Sequence, residues 1–266
     1  MADDREVRQV RALFLSDVHL GMKPIRVRQL IEFLRAHDAE TIYLVGDILD
    51  GWRLAKGWHW PEEYNVVVQS LLDKATAGAR VVYLPGNHDE FLREYLGTYF
   101  GEIELVDRTV HTTATGRTYL VIHGDQFDVV VMNAKWLAHV GDWAYNFALR
   151  VNIAINWVRR RLGLQYWSLS AWAKQKVKNA VSVIGRFEEA LVHEARESGV
   201  DGVICGHIHF ADMHERLGIH YINTGDWVES CTAIVENHDG SFELIKWTEM
   251  VTGVPRRQRV RRPDEV

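Results

Sequence analysis

The sequence predicts a mixed α/β fold carrying one long helical insertion. Three observations lead there. Short apolar segments alternate with helix-spaced segments through the first 85 residues. β-rich segments return after Gly199. Between the two, residues from about 130 to 198 read almost entirely as helix. Strand–helix–strand alternation argues for βαβ units and a parallel sheet, because parallel strands need a crossover connection.

Val10 to Leu15 is short, apolar and followed by polar residues, the pattern of a buried strand. Ile25 to Arg35 places Leu30, Ile31 and Leu34 on one helical side. Thr41 to Val45 is a second strand, and Glu62 to Lys74 a helix with Gly78 placed for a C-cap. Arg80 to Leu84 is a third strand, ended by Pro85-Gly86. Glu104 to Thr113 and Arg117 to His123 are β-rich around a turn at Thr115-Gly116. The later strands are Gly202 to Cys205, Asp212 to Arg216, His220 to Asn223, Thr232 to Glu236 and Phe242 to Trp247. Asn237 to Gly240 turns the last two into a hairpin. We expect one domain over 1–250, with the insertion at about 130–198 and a basic, flexible tail over 251–266.

Composition narrows the function classes. The 266 residues are 47% hydrophobic and 25% charged, ordinary for a globular chain. A net charge of −5 gives no whole-chain case for a nucleic-acid partner. Two cysteines, Cys205 and Cys231, cannot make a disulfide framework, so a reduced, cytoplasmic setting is expected. The N-terminus is charged and lacks the apolar stretch of a signal peptide. No window reaches the roughly 18–20 uncharged apolar residues of a membrane span; Trp143 to Val158 is broken by Asn146, Arg150, Asn152 and Asn156. Nothing in the sequence bears on oligomeric state.

Five motifs share one layout. Asp17-Val18-His19, Gly46-Asp47, Gly86-Asn87-His88-Asp89, His123-Gly124-Asp125 and Gly206-His207-Ile208-His209 each follow a predicted strand. Each offers carboxylate, imidazole or amide oxygen, a donor set that suits Mn²⁺, Fe²⁺ or Zn²⁺. Glycine beside the ligands lets the backbone turn tightly at a strand end. In open α/β sheets such ends collect on one edge, where ligands bind. Any one motif alone would be an ordinary turn or surface accident; five in order are not explained that way. The remaining histidines, His37, His59, His111, His139, His193, His214, His220 and His238, read as surface or satisfied core residues. Asp125 and Asp128 are supporting groups or loop residues, and Asn223 to Trp227 either lines the site or forms a turn.

This ordered set resembles the calcineurin-like metallophosphoesterases, and it spans Asp17 to His209. The resemblance implies an αββα sandwich of two mixed sheets flanked by helices, and hydrolysis by two divalent cations, Mn²⁺ foremost. It implies that Asp17, His19 and His209 hold one cation, that Asn87, His123 and His207 hold the other, and that Asp47 bridges them. A water activated between the cations would attack phosphorus in line. His88 would stabilise or protonate the leaving oxygen, oriented by Asp50, for which an N-cap or turn role is the alternative. Asp89 reads as a turn residue.

The insertion falls between His123 and His207, beside the expected site. It holds Trp136, Val140, Trp143 and Phe147 at helical spacing, then Arg159-Arg160-Arg161, then Tyr166, Trp167 and Trp172, then Lys174, Lys176 and Lys178. Aromatics flanked by cations suit a helix at an anionic lipid surface, and a helical hairpin packed on the core is the plain alternative. Lys174 and Lys178, one turn apart, could hold a phosphate or face solvent. Within the superfamily this arrangement resembles the UDP-2,3-diacylglucosamine diphosphatases of lipid A synthesis. That resemblance implies an amphiphilic nucleotide-lipid substrate, a helical lid for acyl chains and peripheral attachment to the inner face of the cytoplasmic membrane. The best-known branch has arginine where this sequence has His88, and a histidine-bearing, divergent branch also exists. Another lipid-linked or soluble nucleotide phosphate is the alternative substrate, and a non-catalytic scaffold is argued against by the complete ligand set.

Overall fold

The computed structural model describes residues 7–23, 25–127 and 184–247. Most of the expected insertion, with Lys174 and Lys178, and the tail over 251–266 lie outside the described residues. Contacts divide the chain into two compact units, Met1–Asp125 with Ala195–Val266, and Gln126–Glu194. The first unit holds everything that follows.

Two mixed β-sheets flanked by helices make the fold. The larger sheet contains β1 (Arg8–Leu15), β2 (His37–Val45), β3 (Arg80–Leu84), β4 (Tyr99–Phe100), β5 (Ile103–Leu105), β11 (Thr232–Glu236) and β12 (Phe242–Lys246). Their order is β12-β11-β1-β2-β3-β5-β4. The smaller sheet, in order β6-β7-β8-β10-β9, contains β6 (Thr109–Thr112), β7 (Thr118–Val121), β8 (Gly202–Cys205), β9 (Asp212–Arg216) and β10 (Ile219–Asn223). β1, β2, β3 and β5 run parallel, as the alternation predicts, and β11, β12 and β4 add antiparallel edges.

The residue period of a strand explains the layering. Leu13 and Leu15 of β1 face a core shared with α1 (Val27–Ala36) and α3 (Glu62–Thr76). Ala12 and Phe14 face the opposite core, shared with Tyr119 and Val121 of the smaller sheet. A strand buried on both faces is apolar on both, which is why Ala12 to Leu15 runs without a polar residue; Arg11, just before them, is paired with Glu236. Phe14 stacks on Tyr43 at 4.8 Å, and a fully buried ring of this kind contributes about 1.5–3 kcal/mol over an exposed one. α1 buries Leu30, Ile31 and Leu34 as its spacing predicts, and also Phe33, which packs on Trp227 and Trp247.

Two local expectations change. Glu104 to Thr113 is not one β segment: β5 belongs to the larger sheet and β6 to the smaller, so Val106, Asp107 and Arg108 carry the chain between layers. A short helix, α2 (Gly51–Lys56), and a 3₁₀ turn (Glu90–Tyr95) also follow the second and third motifs. Both are too short for helical periodicity to register in the sequence.

Candidate metal centre

All the motif residues leave strands at the same kind of end. Asp17, Asp47, Asn87, His123 and His207 lie two or three residues past β1, β2, β3, β7 and β8. β1, β2 and β3 are mutually parallel, and so are β7 and β8, so the loops of each sheet emerge together. Backbone bonds then tie the loops to one another. Asp17 N–H donates to Gly46 O at 3.0 Å and His19 N–H to Asp47 O at 2.9 Å. Gly51 N–H donates to His88 O at 2.9 Å, and Gly206 N–H to His123 O at 3.2 Å.

The backbone is strained at the same places. Asp17, His19, Asp47, His207 and His209 all have positive φ, between 52° and 72°. Each such non-glycine residue costs on the order of 1–3 kcal/mol and persists only where its surroundings hold it. Gly46 has φ +79°, and a Cβ there would also run into the ring of His123. Gly86 has no unusual φ; its side chain is excluded because a Cβ would collide with Asp47 Oδ1 and the His123 ring. The glycine in each case clears room for a neighbouring motif's ligand.

Among the described residues, three groups of donor atoms are close enough to share an ion: Asp17, His19 and His209; His19, Asp47 and His88; and Asp47, His123 and His207. Asp17 Oδ1 lies 3.0 Å from His209 Nε2. Asp47 Oδ2 lies 3.8 Å from both His19 Nε2 and His123 Nε2, between the first and third groups. Donors each about 2.0–2.2 Å from one ion sit roughly 3–4 Å from each other, so these separations fit. Buried polar atoms in folded proteins are nearly always hydrogen-bonded. Here Asp17 Oδ1, His19 Nδ1, Asp50 Oδ2, Asn87 Oδ1 and His123 Nε2 are buried without a hydrogen-bond partner. The indole N–H groups of Trp227 and Trp247 are also left over, but they cannot hold a cation; the carboxylate, amide and imidazole atoms gathered here can.

Around these atoms sits a supporting layer. Asp17 Oδ2 is held by Ser16 Oγ and by His207 N–H at 2.9 Å, which leaves Oδ1 facing the cluster. Asp50 makes both contacts considered for it: Oδ1 accepts from Arg53 N–H at 3.0 Å as the N-cap of α2, and lies 3.1 Å from His88 Nδ1. The His88 ring meets His19 edge-on at 4.6 Å and rests against half-exposed Trp52 at 4.2 Å. His88 is also in reach of an ion with His19 and Asp47, a proximity the motif spacing does not reveal. Asp226 resolves as a turn residue, Oδ1 accepting from Val228, Glu229 and Ser230 N–H. Asn223 braces the last motif, donating to Gly206 O at 2.8 Å. Asp125 Oδ1 lies 3.3 Å from His123 Nδ1, a supporting group as one reading had it. His37 and His111 are satisfied core residues.

Asp89 is more than a turn residue. It is fully buried and accepts from Gly86 N–H (2.6 Å), Asp47 N–H (3.3 Å), Ile48 N–H (2.8 Å), Leu49 N–H (3.2 Å) and Tyr83 O–H (2.6 Å). One carboxylate thus fastens the Asp47 loop to the Asn87 loop. Ser16 and Trp52 were not foreseen either. Only adjacency to a motif signals Ser16, Asp89 stands inside a motif with nothing to show its partners, and no pattern in the sequence signals Trp52.

Electrostatics follow from burial and neighbours. Burial lowers His19 to about 4, so it is neutral and ready to coordinate at ordinary pH. Burial, with the like charges of Asp17 and Asp89, raises Asp47 to about 6 against the pull of His123. Burial would also raise Asp17, but the neighbouring imidazoles of His123 and His209 outweigh it and hold that carboxyl well below its usual range. Burial would lower His123, yet Asp125 and Asp17 overcome it and raise the imidazole well above its ordinary value. His209 is raised against burial by Asp17.

Fold and site together define a metal-dependent phosphoesterase. The chain belongs to the calcineurin-like phosphoesterase family, whose sequence pattern matches residues 10–211. More particularly, it is similar over most of its length to UDP-2,3-diacylglucosamine hydrolases. It is 28% identical over 232 residues to that of Cellvibrio japonicus, covering 82% of this chain and 91% of the relative. It is 25% identical over 244 residues to that of Haemophilus influenzae, covering 88% and 98%. Among solved structures, the E. coli phosphoesterase Yfce is 14% identical, with 88% of this chain and 98% of that chain covered and a TM-score of 0.42.

Proposed function

We propose that the chain hydrolyses the pyrophosphate of a nucleotide-linked acylated sugar, with UDP-2,3-diacylglucosamine the substrate and UMP and the acylated sugar 1-phosphate the products. The observation that carries the reading is the cluster of buried, unpartnered donor atoms around Asp17, Asp47, Asn87 and His123. Asp17, His19 and His209 would hold one divalent cation, Asn87, His123 and His207 the other, and Asp47 would serve both. When bound, the two cations supply positive charge that polarises the phosphoryl group and acidifies a water. The donor chemistry suits Mn²⁺, Fe²⁺ or Zn²⁺, and Mn²⁺ is the first to try.

The chain's own residues do the rest. Asp50 engages His88 Nδ1 and so leaves Nε2 to hydrogen-bond or protonate the leaving oxygen. His88 keeps one quarter of its side chain exposed, enough to meet a substrate, while Asp50 is wholly buried behind it. The substrate assignment draws support from relatives named for that hydrolysis across nearly their full length. The tryptophan-rich segment, with Lys174 and Lys178, is assigned to the acylated part and to a membrane surface on sequence grounds alone. Among the described residues, no helix is long and apolar enough to cross a membrane.

A product assay tests the proposal. Mn²⁺-loaded protein given UDP-2,3-diacylglucosamine should release UMP faster than it cleaves a generic phosphodiester or phosphomonoester. Preference for the generic diester would transfer the assignment to a soluble phosphodiesterase.

A further inference from the structure

Arg93 lies outside every motif, on the 3₁₀ turn that follows Asn87-His88-Asp89. Its Nη2 donates to both carboxylate oxygens of Asp125, at 2.9 and 2.7 Å, and to Pro85 O at 3.1 Å. Its Nε lies 3.7 Å from Asp107 Oδ1. Asp125 is buried, and its Oδ1 faces His123 Nδ1 at 3.3 Å. At the far side of that ring, His123 Nε2 is 3.8 Å from Asp17 Oδ1 and from Asp47 Oδ2. An unbroken chain of contacts therefore runs from Arg93 through Asp125 to a donor atom of the metal centre, while Asp107, which makes no hydrogen bond to Arg93 Nε, stands outside it.

We infer that Arg93 is a positioning residue for one half of the metal centre: through Asp125 it fixes the ring of His123, and through Pro85 O it fixes the start of the Asn87 loop. Asp125 alone could pivot about its side-chain torsions. Arg93 Nη2 meets both of its oxygens and so restricts that freedom, and the planar, preorganised guanidinium loses less entropy in doing so than a flexible ammonium would. His123 and Asn87 belong to the same proposed cation, and Arg93 is placed to act on both. The other proposed group, Asp17, His19 and His209, has separate support from Ser16 and His207 N–H. The consequence is asymmetry: loss of Arg93 should loosen one cation and spare the other.

The inference rests on the two-cation reading, and one experiment separates their failures. Mn²⁺ binding to the whole chain is followed by calorimetry and by metal content after gel filtration, for wild type, Arg93→Met, Arg93→Lys and Asp107→Asn. Supporting groups of this kind typically change metal affinity by about 10–100-fold. Arg93→Met should weaken one of two Mn²⁺ sites by that factor and leave the other unchanged. Arg93→Lys should fall between, and Asp107→Asn should match wild type. Two sites of unchanged affinity in folded Arg93→Met, or equal weakening of both, overturns the inference. If Arg93→Met does not fold, Arg93→Lys decides: selective weakening supports the inference and unchanged binding overturns it. Wild type binding fewer than two Mn²⁺ would instead overturn the two-cation reading.

Discussion

Two buried polar clusters in this protein can be compared directly. One is the rim around Asp17, Asp47 and His123. The other lies between the sheets, where Glu236, at 0% exposure, accepts from Ala114 N–H, from Arg11 and from His111, each at 2.7 Å. His111 turns its second ring nitrogen to Tyr43 O–H at 3.2 Å. Both clusters combine acid and imidazole in a nearly dry interior. In the second, no side-chain polar atom is buried without a partner and no residue named has positive φ. In the first, donors are left over and five non-glycine residues are strained. Burying polar groups does not explain the difference, since both ends do it. A network that closes on itself stabilises the sandwich; one that stays open is reserved for something that binds.

The largest expected effect comes from taking the shared carboxylate out of the open cluster. Asp47→Asn is cleaner than an alanine change, because asparagine tolerates the φ of 54° at this position. We expect loss of both Mn²⁺ ions, read by metal analysis, and phosphoesterase activity at background. Retention of one ion would show that Asp47 does not serve both groups. Next is His88→Ala. Turnover should fall by about 10²–10⁴-fold while metal content stays at the wild-type level. Because His88 also lies within reach of His19 and Asp47, metal loss in this variant would make it a ligand and remove its assigned role at the leaving group.

Acidity should separate the clusters at a smaller scale. In the metal-free chain Asp47, near 6, and His123 and His209, both raised, hold protons that a cation must displace. A group with a raised value competes below that value, so affinity must rise with pH. We expect Mn²⁺ affinity to fall roughly tenfold per pH unit for each proton displaced, beginning above the ordinary imidazole value of about 6.5, where His123 and His209 still hold theirs, and more steeply below about pH 6, where Asp47 adds its own. His19, near 4, contributes nothing to that slope above pH 5. Calorimetry in buffers of different ionisation enthalpy counts the protons released, and a pH-independent affinity would contradict the assignment of these ligands.

Much of this was legible in the sequence because the determinants are local. β1 reads as a buried strand from its mostly apolar residues, and the five motifs stand where strands end. Even the doubt over Asp50 was well placed, since one side chain caps α2 and meets His88. What was not legible depends on distant residues meeting. Asp89 gathers bonds from three different segments, and Arg93 reaches Asp125 across 32 positions. Glu104 to Thr113 reads as one β-rich segment, yet its two halves fall in different sheets because the choice is made by the partners each strand finds. The closed cluster was invisible for the same reason: Arg11, His111 and Glu236 are unremarkable apart and complete only together.

That closed cluster supplies the smallest effect on chemistry and a direct check on the comparison. Glu236→Gln keeps the shape but replaces one acceptor oxygen with a donor, which must then face Ala114 N–H or the Arg11 and His111 donors. A buried donor without an acceptor costs about 1–3 kcal/mol. The midpoint of urea unfolding should drop accordingly with little change in slope. Mn²⁺ stoichiometry and turnover under folding conditions should not move, since none of these residues contacts a motif loop through any bond described above. If they do move, the two networks are coupled through the shared strands. β1 is the element to suspect, because it carries Arg11 at its middle and delivers Asp17 just past its end.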